Sequence, residues 1–164
     1  MSDHDPFNQP EIAHPRSRDL MAEELFWDCA DEDAPFGSDE GWTAYYEWRQ
    51  WREDNPGSSL VDCFSWILND RLDEYNDSLS SDERIAADLE SPDDAFLSEA
   101  FDIFTLDTTI IGTALGQLLD EGMIDVTAKP YVQVAIARQL NPRICESDAR
   151  REILLAVKRV IEKA

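Results

Sequence analysis

Carboxylates are the reactive groups this chain holds in quantity. Asp31, Glu32 and Asp33 come as a run, Asp39 and Glu40 follow, then Glu47, Glu53 and Asp54, and a second series lies at Asp70, Asp73, Glu74 and Asp77. Ionised carboxylates accept hydrogen bonds and attract cations, so they open three kinds of chemistry: paired acid and base catalysis, divalent-metal ligation, and docking of a basic macromolecule. With 36 acidic residues in 164, some pair must fall at a glycosidase-like separation by chance, and abundance alone does not point to catalysis. Nucleophilic chemistry has less to draw on. His4 and His14 are the only histidines, both near the start of the chain, and a Ser-His-Asp or Cys-His arrangement would need that segment to fold back over the rest. HExxH, Walker, dinucleotide-binding and zinc-cysteine patterns are absent.

Asp31, Asp33 and Asp39 around Gly37 offer oxygens that suit calcium, yet the run lacks the ligand order and closing glutamate of an EF-hand. Cys29, Cys63 and Cys145 are widely spaced with no CxxC pair, and are expected as buried free thiols. These observations favour a non-enzymatic protein with no cofactor and no bound metal.

The charge is distributed unevenly. Residues 1–107 hold 29 acidic and 6 basic side chains, whereas residues 108–164 hold 7 and 8, so the whole formal charge of -22 arises in the first two-thirds of the chain. Such a field repels nucleic acid and anionic membrane and favours basic partners. Solubilising charge alone would be spread more evenly. The leading expectation is a protein-binding module that presents carboxylates in place of DNA phosphates to a DNA-binding protein, nuclease or toxin, as a DNA mimic or an immunity or antitoxin protein would. Its contacts would be the twelve carboxylates named above, with Trp48 or Trp51 as an exposed apolar anchor. The alternatives are a helical protein whose acidity reflects high-salt adaptation, in keeping with three lysines among 14 cations, and a divalent-cation-binding or dimeric scaffold whose aromatic helix forms the self-contact.

Helices must position these groups, because no stretch shows a period of two over a hairpin's length. The least charged long segment, 106–122, carries Ile110, Ile111, Ala114, Leu115, Leu118 and Leu119 three and four apart, which predicts a core helix started by Asp107 or Thr108. Gly112 and Gly116 lie one turn apart where a neighbouring helix can approach, and Gly122 suits a left-handed end. A second helix, 39–54, is capped by Ser38 and carries Trp42, Tyr45, Tyr46, Trp48 and Trp51. A third runs from a Ser59–Asp62 capping box to Tyr75, which would place Asp73, Glu74 and Asp77 at the unfavourable end of its dipole. Shorter helices are expected over 19–29, from a Ser80–Glu83 box to Leu89, and from Pro92 to Thr105, with two more over 127–140 and from Ser147 onward. The fold expected is all-α, a single-domain irregular bundle of about seven or eight short helices. Residues 1–18 would be a flexible polar lead-in and 19–164 the acidic domain. No basic and apolar leader opens the chain and no apolar run spans a bilayer, so a cytoplasmic protein is expected.

Overall fold

Asp102 starts the helix on which the others pack. In a computed structural model that describes residues 4–164, its side chain accepts from the Thr105 amide at 2.7 Å and opens α5, Ile103–Glu121, one turn earlier than expected. From Leu106 to Leu119 every residue of α5 except the half-buried Thr109 is buried. At its end Gly122 adopts φ 77° and its N–H returns to the Leu118 carbonyl at 2.9 Å, a left-handed cap that other residues reach only with strain.

The second helix, Asp39–Asp54 (labelled α2), lies along α5, and the two α5 glycines set how closely. A Cβ on Gly116 would stand 2.9 Å from Trp48 Cδ1 and 3.0 Å from Tyr45 Cδ1, and one on Gly112 would stand 3.1 Å from Ala44 Cβ. Glycine therefore costs α5 about 1 kcal/mol of helix propensity at each site and admits the rings of α2 in return. Ser38 caps α2 by accepting from the Gly41 amide at 3.1 Å. The face toward α5 buries Ala44, Tyr45, Trp48 and Trp51, and the other face carries Asp39, Thr43, Glu47, Glu53 and Asp54.

Three expected helices are shorter or differently placed. The third, Leu60–Ile67 (α3), has the Ser59–Asp62 capping box but ends eight residues before Tyr75, because Asn69 and Asp70 take φ 53° and 62°. Leu72–Glu74 and Asp77–Ser80 are 3-10 turns, so Asp73, Glu74 and Asp77 sit in first turns and the expected dipole penalty does not arise. Ser81, not Ser80, caps the helix Asp82–Glu90 (α4). After it, Pro92–Asp94 is one 3-10 turn, and Leu97 at φ 56° redirects the chain so that Phe96 and Leu97 are buried before Asp102. The expected helix from Pro92 to Thr105 does not form.

The lead-in is also corrected. Residues 1–3 lie outside the described residues, but residues 4–18 are docked. Phe7 packs 4.9 Å from the Phe36 ring and 5.6 Å from that of Tyr45, the His14 amide donates to the Leu119 carbonyl at 2.8 Å, and Pro15–Leu20 forms a short helix, α1. What was expected as one helix over 19–29 is this α1 followed by a 3-10 turn, Glu24–Trp27.

On the far side, Lys129–Leu140 (α6) packs on α5, and the last helix, Asp148–Lys163 (α7), packs on α6. Seven α-helices joined by 3-10 turns, with no strand among the described residues, make this an all-α single-domain protein around one apolar core. No helix is long and apolar enough to cross a membrane. Within that core Asp107 and Arg138 are each 0% exposed and form a bidentate pair at 2.7 and 2.8 Å. Tyr75 and Gln139 each donate to the same carboxylate at 2.7 Å.

Candidate functional site

An open groove of about 550 Å³ runs between α2, the end of α3 and the start of α5. Because α2 turns Tyr45, Trp48 and Trp51 inward, its polar positions at helical spacing form one wall: Asp39, Glu40, Thr43 and Glu47. Ala44 lies at the base, Trp66, Ile67 and Phe101 contribute apolar surface, and Thr105 and Thr109 add hydroxyls. Trp66 is 55% exposed, the most exposed aromatic ring among the large exposed hydrophobic residues. Among the described residues, none of the Asp39, Glu40 and Glu47 carboxylates has a salt-bridge partner. The groove thus joins uncompensated negative charge to an accessible indole, groups that suit a cation on a partly apolar body.

The other carboxylates expected to share this face are spread over separate places. Glu32 and Asp33 line a shallow cleft beside α7, where Arg150 stands 3.9 Å from Asp33. Glu53 borders the loop that carries Gly57 and Ser58, and Glu74 faces the turn of Asp93 and Asp94 while pairing with Arg71 at 2.8 Å. Asp31, Asp54, Asp70, Asp73 and Asp77 are exposed and line neither the groove nor these clefts. Trp48 and Trp51 are corrected outright. They are 1% and 8% exposed, sealed against α5 and stacked on each other at 6.1 Å, and neither can anchor a partner. Trp66 was missed. The apolar stripe of α3 is Leu60, Cys63, Phe64 and Ile67, and an indole at 66 falls off it, a signal present in the sequence.

A second polar cluster lies where the docked N-terminal segment meets α2. Tyr45 donates to Asp120 at 2.7 Å, Arg49 donates to the other oxygen of that carboxylate at 2.9 Å, and His4 Nε2 lies 2.7 Å from the Tyr45 hydroxyl. Burial, then the Asp120 charge, hold the Tyr45 phenol protonated far above its ordinary range. The fold-back that histidine catalysis would need is therefore present, and among the described residues it brings to His4 a phenol, a guanidinium and a carboxylate. Burial and then Arg49 lower the His4 pKa below its usual 6.5, against the opposing pull of Asp120 and Asp5. The folded state thus favours neutral His4. Docking of this segment should be complete above that value and weaken as the pH falls below it toward the lowered pKa of the docked imidazole, because the undocked imidazole takes a proton first. Near-UV circular dichroism of the Phe7, Trp42, Tyr45 and Tyr46 rings, compared with a His4→Gln variant, checks this; identical pH profiles would refute it.

The cysteines are free, but only Cys63 is buried; Cys29 is exposed and Cys145 half-buried. Burial pushes the Cys63 thiol up to about 12, and partial desolvation of the sulfur with the Asp5 and Asp28 charges pushes the otherwise exposed Cys29 up to about 11, so both stay protonated and weakly nucleophilic at neutral pH. Among the described residues no group of three or more His, Cys, Asp or Glu is arranged to hold a metal ion. Asp31 instead accepts from the Asp33 amide at 2.9 Å. No protein family, curated protein or solved structure matches the chain.

Proposed function

We propose that this protein is a non-enzymatic acidic binding module that engages a basic protein, such as a DNA-binding protein, nuclease or toxin, by offering carboxylates where that partner would bind DNA phosphates. The observation that carries the proposal is how the cations are used. Arg49, Arg52, Arg71, Arg84 and Arg138 lie 2.7 to 3.0 Å from Asp120, Glu121, Glu74, Asp88 and Asp107. Arg143, Arg150 and Arg159 form longer pairs at 3.4 to 3.9 Å. The arginines are thus engaged mostly with other acids, and Asp31, Glu32, Asp39, Glu40, Glu47, Glu53, Asp54, Asp70, Asp73 and Asp77 have no salt bridge among the described residues. Unpaired charge of one sign on a helical frame costs self-repulsion and accelerates encounter with the opposite sign.

The test is stopped-flow association with a panel of basic proteins, among them a DNA-binding domain and a ribonuclease, from about 0.01 M to about 1 M salt. Over that range the screening length falls from about 30 Å to about 3 Å. The association rate constant is expected to fall by at least about 10-fold while dissociation changes less, and the protein should displace duplex DNA from the DNA-binding domain. Rates that do not change with salt would overturn the reading.

A further inference from the structure

Resting on the reading of this protein as a module for basic partners, we infer that the groove between α2 and Trp66 is a receptor for an arginine side chain of the partner, carried next to an apolar residue. The molecule itself supplies the pattern. Arg52 lies 4.7 Å over the Trp48 ring and pairs with Glu121, Arg71 lies 4.8 Å over Phe96 and pairs with Glu74, and Arg150 lies 5.0 Å over Phe104 and reaches Asp33. Arg49 over Tyr45 with Asp120, and Arg138 over Tyr75 with Asp107, repeat it at 6.0 and 5.8 Å. Every arginine that faces a ring is also paired with a carboxylate. A guanidinium can do both at once, since its plane meets the π face while its edge donates to oxygen; an ammonium, compact and strongly hydrated, does this less well.

At the groove the ring and the carboxylates are present, and among the described residues no arginine is stacked on Trp66 and no cation is ion-paired with Asp39, Glu40 or Glu47. Trp66 is exposed, Glu40 and Glu47 stand on the opposite wall one α-helical heptad apart, and neither is ion-paired. Ile67 and Phe101 beside Trp66 supply apolar surface for the residue adjacent to the arginine. Charge on one wall and apolar surface on the other select a segment of the same two-sided character, which a uniformly charged ligand does not match.

The probe is a short synthetic peptide with one arginine between two leucines, compared with its lysine and citrulline counterparts by titration into the isotope-labelled full chain. The arginine peptide is expected to shift the Trp66 indole N–H and the Thr43 and Glu47 amides, and to bind about 3-fold or more tighter than the lysine peptide and about 10-fold tighter than the citrulline one. Trp66→Leu, which keeps apolar bulk and loses the ring, and Glu47→Gln should each weaken binding about 3- to 10-fold, whereas Asp73→Asn, at a position that does not line the groove, should not. Arginine and lysine peptides that bind alike, with shifts spread over the exposed carboxylates, would overturn the arginine receptor and leave the broader electrostatic module standing. A chain that binds neither peptide nor any member of the basic panel at low salt would overturn both.

Discussion

Asp107→Asn is expected to lower the free energy of unfolding by about 3 to 5 kcal/mol, a large share of the 5 to 15 kcal/mol typical of a domain. The carboxylate is wholly buried and accepts from the Tyr75 hydroxyl, two Arg138 nitrogens and the Gln139 amide, all between 2.7 and 2.8 Å. Asparagine keeps the shape and removes the charge, which strands a guanidinium that is 0% exposed. Arg138 has no slack to absorb the loss, since its Nη1 already lacks a hydrogen-bond partner. Burial and the Asp107 charge also hold Tyr75 protonated well above its usual pKa, so its hydroxyl donates to the carboxylate, a bond that an amide NH2 turned toward it could not accept. Removing both charges together, as Asp107→Leu with Arg138→Met, should cost less than Asp107→Asn alone, because no uncompensated ion remains. Urea unfolding of the three chains measures this. A single variant within about 1 kcal/mol of the parent would show that the pair is not what organises this end of the core.

Trp48→Ala should cost a similar amount, about 3 to 5 kcal/mol, and should do so through packing alone. The indole fills the seam against Gly116, stacks on Trp51 and carries Arg52 over its face at 4.7 Å, so truncation opens a cavity beneath a guanidinium that Glu121 and the Asn55 and Ser58 carbonyls still hold. The contrast with Trp66 is diagnostic. Trp66→Ala removes a ring that is more than half exposed and should leave stability within about 0.5 kcal/mol while reducing partner binding. Thermal or urea denaturation separates the two indoles without any knowledge of the partner; equal destabilisation by both would contradict the assignment of Trp48 to the core and Trp66 to the groove.

Much of the frame was legible because its signals are local. Ser38 and Ser147 cap the helices they precede, Ser59 and Asp62 close their capping box, and Gly122 ends α5 as a left-handed residue. Each of these acts within a turn of chain, where side-chain length and φ preference decide the outcome. The misplacements arise where distant contacts outweigh local pattern. The apolar positions of α3 continue at helical spacing through Leu72 and Tyr75, yet the Tyr75 hydroxyl must reach Asp107, and Asn69 and Asp70, residues that tolerate positive φ, end the helix to allow it. Leu97 does the same without such tolerance, held at φ 56° by complete burial. Pairing of Asp107 with Arg138, 31 residues apart, leaves no mark in spacing. The candidate site was half visible: Asp39, Glu40 and Glu47 follow from the outward face of α2, but which indole accompanies them depends on where α3 stops.

The division of labour among the cations has a consequence for how this surface can change. Arginine pairs hold the scaffold, whereas the outward acids of α2 carry no ion pair among the described residues and give it only first-turn charge at Asp39 and Glu40, so their number and order can be rewritten one residue at a time at little cost to the architecture. A lineage under pressure to follow a shifting counterpart could edit that outer layer freely while the inner lattice stays fixed, and a protein engineer could use the same freedom to retune which basic target the molecule prefers.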